Sequence, residues 1–291
     1  MPQRRFKQVD VFTVTPFLGN PVAVVLEAEG LDGAAMQRIA AWTNLSETTF
    51  VLPPRTREAD YALRIFTPRA ELPFAGHPTV GSAHAVLEAG LVPAKPELGQ
   101  ECATGVLRLV VEGSAADRRI AVETPQAAFT PVAPADVAEI ERALGARAQP
   151  ATPVEVVALG PRWITVMLPD AAAVRALAPD LAAIALLSRR LGTAGVSVFG
   201  RAAAADHDIV VRSFAPAEGI PEDPVCGSGN AAIGAWIARN GVPVGIEGRH
   251  VASQGRELGR DGYVSVRRDG ATGRVWIGGA AVTCIDGTIA A

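Results

Sequence analysis

Cysteine is scarce. Cys102, Cys226 and Cys284 are the only three in 291 residues, and no two stand at a metal-ligand spacing. So odd and sparse a set excludes a disulfide framework and a cysteine-based zinc site. A basic excess is missing too: the net charge is −3 and the basic residues are scattered. Pairs such as Arg189 with Arg190 or Arg267 with Arg268 are too short to make a nucleic-acid surface. No apolar run reaches the length of a transmembrane helix, so no membrane partner is expected. The charged start "MPQRRFKQVD" lacks the apolar core of a signal peptide and leads into strand-like sequence. The expected setting is the cytoplasm. Low-complexity tracts are also absent, and alanine is spread through segments that read as helices.

Apolar residues make up 49% of the chain, enough to build a core, and the length suits one large domain or two ordinary ones. Short apolar runs bounded by Gly, Pro and polar residues recur, for example at 22–26, 49–52, 61–66, 163–168, 209–214 and 263–267; they read as strands. Helices are fewer. Asp32 can N-cap one, and "ADVAEIERALG" and "DLAAIALLSRRLG" each stop at a glycine.

Two stretches repeat. "FAGHPTVGSAHAVLEAG" begins at Phe74 and "VCGSGNAAIGAWIARNG" at Val225. In each, a glycine opens an apolar helix, and the interval from Gly76 to Gly90 equals that from Gly227 to Gly241. Upstream, "RIFTP" is answered by "RSFAP", with three extra residues before the second helix. More faintly, "GNPVAVVL" resembles "GPRWITVML". The pattern predicts a duplicated α+β unit, two like halves facing one another across a cleft. The small polar stretch "EGSAAD" is the candidate linker, giving halves at residues 1–114, with the C-terminal strand 278–291 returning, and 115–277.

A glycine-opened helix presents free N–H groups and the positive end of its dipole. The N–H groups of Gly76, Gly227 and Gly229 are therefore candidate ligands for a small anion, a carboxylate above all; a lone glycine would be read merely as a turn. His77 follows the first glycine and can reach whatever that terminus binds, with a pKa suited to proton transfer. Glu47, in "NLSETTF", stands at a helix-to-strand junction, where it is either a general acid/base or a turn residue. Asp223, in "EDPVCGSG", lies just ahead of the second helix, in a loop stiffened by Pro221 and Pro224. Ser228 duplicates His77. Cys226 precedes the second helix, a place that lowers a thiol pKa; a buried structural thiol is the alternative. Its counterpart is Ala75, which excludes a two-thiol racemase.

Taken together, "DVFTVTPFLGNPVAVVL", "NLSETTFV", "RIFTPRAELPFAGHPTVGSAH", "EDPVCGSGNAA" and "SQGRELGRDGYVSV" resemble the PhzF-like isomerases of phenazine biosynthesis, which have the diaminopimelate epimerase-like fold. The resemblance implies two halves related by a pseudo-twofold axis, each a sheet curled around a central helix. It implies an active site between them and, often, a homodimer. It puts the catalytic carboxylate on Glu47 and the other polar site residues on His77, Asp223 and Ser228, with no cofactor and no metal. The implied reaction moves a proton and a double bond on a small carboxylate-bearing molecule. Cys226 stands where these enzymes usually have Thr, which keeps open a Cys226-dependent racemase, epimerase or dehydratase. A non-catalytic binding protein of the same fold is the third reading.

Overall fold

The computed structural model describes residues 2–115 and 117–291. The chain divides into two compact units, Met1–Glu123 with Gly278–Ala291, and Thr124–Ile277. The first contains β1 (Gln3–Val11), β2 (Asn20–Val25), α1 (Gly33–Thr43), β3 (Thr48–Leu52), β4 (Tyr61–Phe66), β5 (Glu71–Leu72), α2 (Gly76–Glu88), β6 (Glu97–Cys102), β7 (Gly105–Glu112) and β8 (Arg119–Glu123). The second contains β9 (Ala128–Pro131), α3 (Pro134–Leu144), β10 (Glu155–Ala158), β11 (Arg162–Met167), α4 (Ala171–Arg175), α5 (Leu181–Leu191), β12 (Gly195–Arg201), β13 (Ile209–Ala215), β14 (Ile220–Asp223), α6 (Gly227–Asn240), β15 (Arg249–Gln254) and β16 (Gly262–Arg268). The last strand, β17 (Val275–Ala290), starts in the second unit and completes the first, pairing antiparallel with β1 from Val11↔Ala281 to Gln3↔Ala290.

The strand topologies of the two units match step for step. In the first, β1–β2 is antiparallel, β2–β3 parallel, β3–β4 antiparallel, β4–β6 parallel and β6–β7 antiparallel. In the second, β10–β11 is antiparallel, β11–β12 parallel, β12–β13 antiparallel, β13–β15 parallel and β15–β16 antiparallel. Short β5 and β14 pair alike with β4 and β13. "EGSAAD" is not a connection between units. It spans the β7–β8 hairpin inside the first unit, with its Ala116 outside the described residues.

The repeated R-x-F-x-P motif folds the same way twice. Arg64 forks onto Glu71 through Nε and Nη2, both at 2.7 Å, and Arg212 forks onto Glu222, both at 2.8 Å. Each guanidinium also lies over the motif's own phenylalanine, Phe66 at 5.1 Å and Phe214 at 5.0 Å. The three extra residues in the second copy lengthen the turn without displacing the glutamate. Burial differs: the first pair is 34% and 40% exposed, the second 7% and 9%.

Strand alternation explains the layers. Phe50 of β3 joins Met36 and Ala40 of α1 in one cluster, while Thr49, on the other face, hydrogen-bonds Ser82 of α2 at 2.8 Å. In β12, Val196 and Val198 join Ile184 and Leu187 of α5, while Ser197 faces Gly229 of α6. α2 is buried from Gly76 to Leu87, and most of α6 likewise. A helix apolar on all sides needs cover on all sides. It is obtained by close approach: a Cβ at Gly81 would meet Val22 at 2.5 Å, and one at Gly234 would meet Val266 at 2.5 Å.

Candidate active site

In the first unit, α1 stops at Asn44, which takes the left-handed conformation and donates its N–H to the Ala40 carbonyl. Two residues intervene before Glu47, whose carbonyl accepts the Ala23 N–H and so continues the β2–β3 ladder. Alternation then puts Glu47 on the same face as Thr49, toward α2. There its Oε2 lies 3.2 Å from Nε2 of His77, the second residue of that helix. Both side chains are largely buried, 13% and 7% exposed. The other ring nitrogen of His77 lies 3.5 Å from the amide of buried Asn20. Burial raises the Glu47 carboxyl to about 7, against a smaller opposing pull from the Ser46 hydroxyl.

The second unit has no such carboxylate. Thr48 pairs with Phe66 and Val196 with Phe214, so the shared R-x-F-x-P register puts Gly195 where the first unit has Glu47. A Cβ at Gly195 would lie 1.9 Å from the Phe214 carbonyl oxygen, so no side chain fits there. What this unit offers instead is the start of α6. Cys226 is its N-cap, and Sγ accepts the Gly229 N–H at 3.3 Å. Gln254 pins the loop from β15: Oε1 accepts the Cys226 N–H at 3.1 Å and the Asn230 amide at 2.9 Å, and Nε2 donates to the Asp223 carbonyl at 2.9 Å. The Asp223 carboxylate accepts the Val225 N–H at 3.1 Å. Ser228 Oγ accepts the indole N–H of Trp163 at 3.0 Å.

The expected site residues thus fall into two groups. Glu47, His77 and Gly76 stand together in the first unit, and Asp223, Gly227, Ser228 and Gly229 in the second. One expectation changes. The Gly229 N–H is engaged by a thiol rather than left for a ligand, so the first-turn donors of α6 are Gly227 and Ser228. Of the two alternatives for Cys226, the structure favours the buried thiol over one with a lowered pKa. Burial, then the neighbouring Asp223 charge, push the thiol well above its usual range, which outweighs its place at the helix start. Gln254, Trp163, Asn20 and Asn230 are not singled out as site residues by the sequence; all four lie in quoted stretches, but a lone Gln, Asn or Trp carries no spacing signal of its own. Among the described residues, no group of three or more His, Cys, Asp or Glu could hold a metal ion, and no helix is long and apolar enough to cross a membrane.

Comparison with known proteins adds a second line. The profile of the family described as "Phenazine biosynthesis-like protein" matches residues 9–287. Antisense-enhancing sequence 1 of Schizosaccharomyces pombe is 39% identical, over 99% of each chain. A trans-2,3-dihydro-3-hydroxyanthranilate isomerase of Pseudomonas chlororaphis is 37% identical, over 97% of each. The crystal structure of a PhzF-family phenazine biosynthesis protein from Bacillus anthracis superposes with a TM-score of 0.86 over all of both chains, at 25% identity. A hydroxyproline epimerase from Agrobacterium vitis shares the fold, with a TM-score of 0.65 over 99% of this chain and 92% of its own, at 14% identity.

Proposed function

We propose that this chain, which belongs to the phenazine biosynthesis-like protein family, is an isomerase that moves a proton and a double bond on a small carboxylate-bearing molecule, with Glu47 carrying the proton. The observation that carries the reading is the largely buried Glu47 carboxyl beside His77, with a pKa near 7. A group that must both take and return a proton at neutral pH works best when both of its forms are accessible there. An exposed glutamate would hold its proton in well under 1% of molecules at pH 7, by its ordinary pKa of 4.5.

As carboxylate, Glu47 takes the proton from one carbon, and the electron pair left behind delocalises toward the substrate's unsaturated system. As carboxylic acid, it then returns the proton at another carbon of that system, and the double bond shifts. His77 stands 3.2 Å from the carboxyl on one side, and its other ring nitrogen lies 3.5 Å from the Asn20 amide. The first turns of α2 and α6 present backbone N–H groups suited to a carboxylate and to the charge that develops in the transition state.

The Cys226 thiol, buried, protonated and occupied with capping α6, is a support of the loop rather than the acid/base. The names of two relatives supply the first substrate to try, trans-2,3-dihydro-3-hydroxyanthranilate. Cycled to equilibrium in D2O, the reaction should place deuterium at the two carbons that exchange the proton. Conversion that never introduces deuterium at either carbon would contradict the proposal.

A further inference from the structure

We propose that Trp163 is a positioning residue that fixes the Ser228 hydroxyl as a hydrogen-bond donor to the substrate carboxylate at the start of α6. This rests on the reading above, in which the first turn of α6 presents N–H groups suited to that carboxylate.

The chemistry of the two side chains decides the direction. An indole N–H can only donate, whereas a hydroxyl both donates and accepts. At 3.0 Å, Ser228 Oγ must therefore accept from Trp163, and its own proton has to point elsewhere. One nearby alternative acceptor is Cys226 Sγ, at 3.6 Å. That sulfur is a weak acceptor, and it already receives the Gly229 N–H. A carboxylate oxygen offers a charge-assisted bond, roughly twice as strong as a neutral one. The hydroxyl is thus poised to give up that weak sulfur contact and donate to a carboxylate bound by the Gly227 and Ser228 N–H groups.

Its setting keeps the indole still. Trp163 is 4% exposed, and β11 around it is held on both sides, by β10 and by β12. In the first unit the matching stretch "GNPV" has Val22, whose side chain has no donor, and His77 in place of Ser228. The two helix starts are therefore built for different tasks, one around an acid–base pair and one around an oriented donor.

The test is a double-mutant cycle on the full chain, with 3-hydroxyanthranilate as the carboxylate probe and titration calorimetry as the readout. Trp163→Phe removes the N–H and should weaken binding about threefold to tenfold, the usual range for one hydrogen bond. In a Ser228→Ala background the same substitution should change nothing further, because the hydroxyl it acts through is gone. Should Trp163→Phe misfold, β-(3-benzothienyl)alanine at position 163 keeps the bicyclic shape and replaces the N–H by sulfur. Equal affinity of the parent and the Trp163 variant overturns the inference and leaves the isomerase reading standing. An equal loss in both backgrounds also overturns it, since Trp163 would then act through packing. A parent that does not bind the probe at all removes the carboxylate at α6, and the inference falls with it.

Discussion

Replacing Glu47 by Gln should make the protein more stable above neutral pH and leave its stability in acid almost unchanged. In the folded chain the Glu47 carboxyl has a pKa of about 7, against 4.5 when it is exposed. The shift is upward, so the stability linked to it is fully present below pH 4.5 and is lost as the pH rises through 7. Over that window the unfolded chain ionises freely while the buried group resists. About two and a half pKa units at 1.36 kcal/mol each give a loss of about 3 kcal/mol once both states are ionised. Gln has nearly the same volume and no charge to desolvate, so it never incurs this loss. Denaturant unfolding of both proteins at several values between pH 4 and 8.5 isolates the effect, because every other titrating group is common to the two. The difference in unfolding free energy should open between pH 4.5 and 7 and then stay level. A difference that is flat with pH would show that Glu47 is not held in a desolvating environment, and the reasoning would fail.

Three further outcomes follow from the same geometry. Cys226→Ser should keep most activity, because a protonated thiol serving as a cap can be replaced by a hydroxyl; a loss beyond about a thousandfold, some 4 kcal/mol, would favour the thiol mechanism. The duplicated fork should matter unequally: Arg212→Ala strands Glu222 in a buried site and should cost about 3–5 kcal/mol, whereas Arg64→Ala in the open copy should cost about 1 kcal/mol or less, both by chemical denaturation. Gln254→Leu leaves the Cys226 N–H, the Asn230 amide and the Asp223 carbonyl without their partner. It should lower the melting temperature and weaken 3-hydroxyanthranilate binding together, and unchanged affinity would show that the loop keeps its shape unaided.

Much of this fold could be read from the residues, because local chemistry and tertiary structure agree. Asp32 caps α1, α3 and α5 end at left-handed Gly145 and Gly192, and the repeated glycines open α2 and α6. The motifs likewise pointed to the family and to an epimerase-like α+β fold, which the comparisons bear out. Strands whose identity comes from their neighbours were harder. β6, "ELGQEC", and β15, "RHVASQ", are polar, yet Leu98, Gln100, His250, Ser253 and Gln254 are buried because paired strands and the central helices enclose them. The C-terminal strand expected to return over 278–291 begins earlier, at Val275, and is continuous to Ala290, with β1 as its partner from Ala281 onward. In the candidate site, the spacing of glycines showed where helices begin, but not that Glu47 and His77 meet, since that pairing is made by strand alternation and the approach of α2. Nor could it show that a thiol at a helix start is held protonated by burial and Asp223.

The central claim, that Glu47 carries the proton, is tested most directly by measuring turnover and ligand binding on one preparation of Glu47→Gln. Gln keeps the shape and most of the hydrogen bonding but cannot cycle a proton, and removing a positioned acid/base typically costs about 10²–10⁴-fold. Turnover of trans-2,3-dihydro-3-hydroxyanthranilate, or of whichever carboxylate the parent converts, should fall at least that far. Affinity for 3-hydroxyanthranilate should stay within a few fold, because that contact is proposed to come from backbone N–H groups and Ser228, which the substitution leaves alone. Turnover within a few fold of the parent would make Glu47 a structural residue and contradict the mechanism.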